Sequence, residues 1–245
     1  MPTTVTEIAP DVFRISTFAA DYGIQLNQFL VRDDEPFLMH TGLRRMFDAT
    51  RDGVASLVDP GRVHWIGYGH FEPDECGALN QWLAAAPRAE AVCNFVGAHV
   101  MLADFADRPP RVLADDEVLS TGRHRIRFLS TPHLPHGWDA GLFFDETTGT
   151  LFCSDLFFQP GDPEPLADGD VVERARAAIE GGMSGPMAHD LPYTPYTDRL
   201  LRRLAALRPQ TLAVMHGSSF RGDGAAAIDA LAGTLRALLA ADRVA

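Results

Sequence analysis

Short apolar runs alternate with stretches of helical periodicity along the whole chain, and this restricts it to layered α/β architectures. Val12-Phe13-Arg14-Ile15, Gln28-Phe29-Leu30-Val31 and Pro36-Phe37-Leu38-Met39 read as strands separated by turn residues such as Asp33-Asp34. Leu43, Met46, Phe47, Val54, Leu57 and Val58 then share one helical face, which Pro60-Gly61 ends. A buried strand over 63–68 follows, then a helix carrying Leu79, Trp82 and Leu83 with Asp74 as its candidate cap. A strand over 91–96 and a short helix at Val100-Met101-Leu102 complete the first half.

The second half repeats the theme. Residues 125–128 alternate polar and apolar, and 142–144 and 151–153 flank the hairpin signal Asp145-Glu146-Thr147-Thr148-Gly149. Leu200, Leu201, Leu204 and Leu207 mark a helix, 211–215 a strand, and Ile228, Leu231, Leu235, Leu238 and Leu239 the last helix. From Gln159 to Thr197 the chain is rich in Pro and Gly, with one helix expected near 171–179. Both flanks of that stretch are core-like, so it is expected to cover a site. With no linker or low-complexity stretch between the halves, residues 1–245 are expected to form a single α/β domain, sheet packed on sheet with helices outside.

Charge and composition remove several function classes. Against 33 Asp and Glu stand 21 Lys and Arg, a net charge of −12 with no basic run, which excludes nucleic-acid binding as the main role. No apolar run reaches the roughly 18 residues of a membrane span. The opening Met1-Pro2-Thr3-Thr4-Val5-Thr6-Glu7 lacks the basic-then-apolar order of a secretory leader, so a cytoplasmic location is expected. Cys76, Cys93 and Cys153 are too few and too scattered for a disulfide framework or a CxxC metal site, and read as buried small hydrophobes in a reducing compartment.

The segment Gly69-His70-Phe71-Glu72-Pro73-Asp74-Glu75-Cys76-Gly77 stands apart. His70, Glu72 and Asp74 alternate directly after an apolar strand, where side chains converge outside a sheet edge. Taken alone, HxExD is as easily a polar turn as a metal site. His136 follows strand 125–130, Asp155 ends the strand before it, and His216 ends strand 211–215. Ligand-type residues thus gather at the carboxyl ends of several predicted strands, which neither helix packing nor solvation would arrange.

With these motifs the chain resembles the metallo-β-lactamase superfamily, and within it the di-iron domain of flavodiiron proteins. Hydrolases of the superfamily carry HxHxDH in the first loop; here Glu72 stands at the second His and Glu75 at the last. The steps of 66, 19 and 61 residues from His70 to His136, Asp155 and His216 are similar to flavodiiron spacing, as are Gly23 to Asn27, Asp139 three residues after His136, and Tyr193–Leu201. The resemblance implies an αββα sandwich of two mixed sheets packed face to face. It implies two irons: His70, Glu72 and His136 on one, Asp74 and His216 on the other, Asp155 between them. Mixed nitrogen and oxygen ligands suit iron or manganese, with zinc as an alternative. Two metals about 3.5–4 Å apart suit a diatomic ligand, dioxygen or nitric oxide, bound or reduced.

The same resemblance leaves the electrons to a separate donor of flavodoxin, rubredoxin or reductase type. The chain shows no flavin phosphate loop and no flavodoxin domain, so no flavin is expected on it. A homodimer fits by analogy. Two rival functions keep the same ligands: an oxygen sensor, and a zinc hydrolase of a thioester, lactone or phosphodiester.

Around the ligands, His133, Glu75, His40 and Asp139 are candidate supporting residues. His133 competes with His136, which spacing to Asp155 and Asp139 favours. Glu75 either ligates or faces water at the start of a helix, and His40 stands where the superfamily has Asp before Thr41-Gly42. A hydrogen-bonded strand-end histidine is the simpler reading of His40. His64, His99, His124 and His189 read as structural or exposed, and Tyr193 and Tyr196 as anchors of the irregular segment.

Overall fold

The computed structural model describes residues 3–240. Strands β1 (Thr3–Ala9), β2 (Val12–Ala19), β3 (Ile24–Val31), β4 (Phe37–Met39), β5 (Trp65–Gly67), β6 (Glu90–Cys93) and β7 (Arg111–Val112) form one sheet in chain order. Its first strands pair antiparallel and β4 to β7 pair parallel. Helices α1 (Phe47–Ala55), α2 (Pro73–Cys76) and α3 (Leu79–Ala85) lie in its crossovers. The second sheet takes β8 (Val118–Ser120), β9 (Arg125–Ser130), β10 (Gly141–Asp145), β11 (Thr150–Phe152), β12 (Leu166–Ala167), β13 (Thr211–Ala213) and β14 (Ser219–Arg221), in the order β12-β14-β13-β11-β10-β9-β8. Helices α4 (Val171–Gly182), α5 (Thr197–Ala206) and α6 (Gly224–Leu239) cover its outer face.

The two-residue period of a strand sorts side chains between layers. Phe29, Trp65, Phe143, Phe152 and Ala213 point between the sheets, whereas their neighbours Leu30, Ile66, Leu142, Leu151 and Leu212 point to the helices. The inter-sheet layer is aromatic: Phe37 lies 5.2 Å from Phe143 and 6.0 Å from Phe152, ring centre to ring centre. At Gly67 a Cβ would come within 2.7 Å of Phe37, so only glycine lets β5 approach that layer. The expected αββα sandwich is therefore the observed fold.

Several local expectations need correction. The single helix expected over 43–58 begins as a 3-10 turn, Arg44–Met46, before α1. The short helix at 100–102 is a wide turn over Gly97–Met101. Asp74 does not cap a helix: it lies inside α2, whose first residue is Pro73, and its carboxylate faces His216. β1, β8 and β14 give no clear strand signal, because outer strands are short or half exposed and lose the apolar alternation. No helix of the described residues is long and apolar enough to cross a membrane.

Candidate metal centre

The parallel run β4–β5–β6 and the parallel pair β11–β13 place chain turns at one end of the sandwich. There the sheets are stitched together: Gly141 N–H donates to Gly69 O at 2.8 Å, and Asn27 N–H to Met215 O at 3.0 Å. The turns that follow β5, β9, β11 and β13 deliver His70, His136, Asp155 and His216 to this end.

The structure brings all six expected ligand residues together. His70, Glu72, His136 and Asp155 each offer a ligand atom within 4.8 Å of the others. Asp155 divides its carboxylate between two groups. Its Oδ2 lies 3.4 Å from His70 Nε2 and 3.5 Å from His136 Nε2, while its Oδ1 lies 3.1 Å from His216 Nε2. Glu72 closes the first group, 3.1 Å from His136 Nε2 and 3.5 Å from His70 Nε2. Asp74 closes the second, 3.3 Å from His216 Nε2.

All three imidazoles turn Nε2 inward, and outer hydrogen bonds fix that orientation for His70 and His216. His216 Nδ1 lies 2.9 Å from the Gln25 carbonyl, which only accepts, so Nδ1 carries the proton. His70 Nδ1 lies 3.2 Å from Ser154 Oγ, whose hydroxyl donates to Glu75, so His70 Nδ1 donates as well. His136 Nδ1 lies 3.2 Å from the Asp190 carboxylate. Ser154 holds a left-handed backbone, φ 50°, which aims its hydroxyl and the Asp155 carboxylate at the same cluster.

Glu75 corrects both alternatives left open for it, since it neither faces water nor joins the ring of ligand atoms. Its side chain is fully buried and accepts from the Gly69 and His70 amides and from Ser154, so it pins the turn that carries His70. A Cβ at residue 69 would fall 2.5 Å from Ser154 Oγ, which is why a glycine stands there. His40 is buried with φ 66°; Nδ1 lies 3.3 Å from Asn27 O, and Nε2 faces Glu75 at 3.6 Å without a hydrogen bond. It is thus not the fully hydrogen-bonded histidine of the simpler reading. Asp139 accepts from the Phe71 amide at 2.8 Å and steadies the far side of the same turn. His133 is half-buried in the loop of His136 and makes no hydrogen bond or ion pair with the cluster.

Electrostatics match an ion-binding arrangement. Burial alone would lower the His70 pKa, but the carboxylates of Glu75, Glu72 and Asp155 push it up to about 10. His216 likewise is driven up to about 10 against its burial, by Asp155 and Asp74. The imidazoles of His136 and His70 hold Glu72 down at about 2, and His216, His70 and His136 lower Asp155 against the opposing effect of its desolvation. The Glu72 and Asp155 carboxylates are thus held in their ionised form beside the inward nitrogens. His70 Nε2 and Asp155 Oδ1 are buried without a hydrogen-bond partner. Unpaired buried polar atoms are costly, and metal ions between the two groups would satisfy both.

Over the centre lies a cavity of about 360 Å³ with Glu72, Asp74, His136, Asp155 and His216 on its floor. Its walls include Ile24, Phe158, Ile179, Met183, Met187 and Leu191, so the stretch expected as a cover does line the site. Asp190 and Ser154 were not singled out in the sequence. Ser154 adjoins Asp155, whereas nothing in local spacing marks Asp190. Tyr193 packs half-buried against the helix-side core, and Tyr196 is exposed beneath Arg199.

Known proteins resemble this chain in sequence and fold. Rubredoxin-oxygen oxidoreductase of Megalodesulfovibrio gigas is 26% identical over 205 residues, covering 82% of this chain and 50% of that protein. A diflavin flavoprotein A 1 of Synechocystis is 28% identical over 143 residues, 57% of this chain and 25% of that protein. The chain thus spans half or less of these relatives. Among solved structures, rubredoxin oxygen:oxidoreductase from Desulfovibrio gigas superposes with a TM-score of 0.80 at 21% identity, covering 94% of this chain and 61% of that one. The flavodiiron protein from Giardia intestinalis gives 0.79 at 18% identity, covering 96% and 59%. Residues 24–217, which hold all six inward-facing residues, match the family described as ODP family beta lactamase, and the chain belongs to that family.

Proposed function

We propose that this protein holds two irons and uses them to bind and reduce a diatomic molecule, dioxygen or nitric oxide, with electrons from a separate donor protein. The observation that carries the reading is the divided Asp155 carboxylate, with Oδ2 facing His70 and His136 and Oδ1 facing His216. His70, Glu72 and His136 would hold one ion, Asp74 and His216 the other, and Asp155 both. Three carboxylates offset most of the charge of two ferrous ions. When bound, such a pair supplies electrons and two adjacent attachment points for a small molecule.

The chain's own residues do the rest. The outward hydrogen bonds of His70 and His216 keep Nε2 aimed inward before any ion arrives. Apolar walls from Ile24, Phe158, Met183, Met187 and Leu191 give small apolar gases a route of matching chemistry to the floor. On the other side of Glu72 a second hollow, lined by Tyr22, Phe71, Phe105, Arg44 and Arg45, offers a donor an apolar seat with a cationic rim. A relative named for rubredoxin supports a small redox protein in that role.

The hydrolase alternative finds no favouring observation: Glu75, at the place of the hydrolases' last His, is spent on backbone amides. Elemental analysis followed by anaerobic reduction and gas exposure tests the proposal. About two irons per chain, with sustained gas consumption when a donor is supplied, is the expected result. A spectral change without turnover would assign sensing instead. Zinc with no response to either gas would overturn the redox reading.

A further inference from the structure

We infer that Asp190 is a positioning residue for His136, and that through it the loading of the first metal position is linked to closure of the covering segment 183–196. This rests on the metal-centre reading above. The three imidazoles differ in what holds them from outside. His70 leans on Ser154 and Glu75, both buried, and His216 on the Gln25 carbonyl in β3. His136 faces instead a carboxylate 54 residues further along, in a segment that belongs to neither sheet.

That segment is held loosely. Met183 and Met187 are 39% and 65% exposed, and the Asp190 carboxylate is 38% exposed. Its backbone bonds are local, Ala188 N–H to Gly185 O and Asp190 N–H to Met187 O, both 3.1 Å. Asp190 Oδ1 lies 3.2 Å from His136 Nδ1 but is not aligned as a formed hydrogen bond. The contact is therefore poised, with a small rotation separating it from a carboxylate–histidine pair. An ion on Nε2 makes Nδ1–H a stronger donor and tightens this contact. The same contact brings Met183, Met187 and Leu191 over the cavity floor. Binding and closure then share one interaction, so each favours the other by the same factor.

The test uses the full chain and cobalt(II) alone as probe, with affinity read from its visible absorption and closure from hydrogen exchange of the 183–196 amides. In the parent protein, cobalt is expected to slow that exchange. In Asp190→Ala, affinity at the first position should fall about 10–100-fold, and the cobalt-dependent slowing should shrink by a matching factor. Asp190→Asn keeps an acceptor and should recover most of both. A merely structural role would speed exchange with and without cobalt while leaving affinity alone, and that result overturns the inference. Slowing retained in a folded Asp190→Ala chain overturns it equally. A parent protein that takes up no cobalt fails at the metal-centre reading, and the inference falls with it.

Discussion

At the scale of single residues, what decides the site is which atoms face inward and which are committed elsewhere. Asp155 places one oxygen toward each group of imidazoles, so neither position is complete without it. Asp155→Ala is expected to lose both metals, whereas His133→Ala, whose side chain makes no hydrogen bond or ion pair with the cluster, should keep both. Metal-to-protein ratios after desalting give the answer, and two variants with equal metal content would show that the ligand set is misassigned. Glu75 acts one step further out. Glu75→Ala leaves the Gly69 and His70 amides and the Ser154 hydroxyl without their acceptor. Stranding those buried donors should cost about 2–4 kcal/mol, with a fall of about 10–100-fold in metal affinity. Denaturant midpoints and a metal titration of the same variant measure the two effects separately.

At the scale of elements, the β10–β11 hairpin and the turn before β9 form a polar knot remote from the metals. Asp33 accepts from the Thr121 hydroxyl and the Arg123 and His124 amides, and His124 Nδ1 lies 2.8 Å from Asp145 Oδ2. Burial lowers the His124 pKa, but the Asp145 carboxylate outweighs it and the net shift is upward. A raised pKa means that the charged pair stabilises the fold fully below the unfolded value near 6.5, and that this part is lost as pH rises through the folded value. His124→Gln should therefore cost about 1.5–3 kcal/mol at pH 5.5 and less at pH 8.5, as read from urea midpoints. An equal cost at both pH values would show that the imidazole is neutral in the folded chain.

How far these elements could be read from sequence depends on the kind of signal each carries. Central strands such as β5 and β11 announce themselves because both faces are buried and mostly apolar. β1 and β14 lie toward the outside of their sheets, and β1 reads as polar because half-exposed positions need no apolar side chain. The inward six were legible because each stands just past a strand, a place fixed by chain order. Asp190 was not, since it comes to His136 through the path of an irregular segment that no periodicity encodes. Glu75 was legible as a departure from the hydrolase pattern, but its burial under Gly69 depends on the tertiary approach of Ser154.

At the scale of the whole molecule, the site and the core stabilise the same interface by different means. Phe37 and Trp65 from one sheet meet Phe143 and Phe152 from the other in a layer that needs no ion. At the end of that layer, the inward-facing residues His70, Glu72 and Asp74 follow the first sheet, while His136, Asp155 and His216 follow the second. Metals bound between them would clamp the two sheets, and the unfolded chain would not hold them in that geometry. Each position should then add about 4 kcal/mol when free metal exceeds its dissociation constant a thousandfold. Phe143→Ala opens the aromatic layer and should cost about 3–5 kcal/mol whether or not metal is present, provided it still binds metal as the parent does. Asp155→Ala should behave oppositely, with little of the metal-dependent increment left. Thermal or denaturant unfolding of the three proteins, each with and without metal, separates the contributions. A metal increment of similar size in Asp155→Ala would mean that the ions bind outside the inter-sheet site.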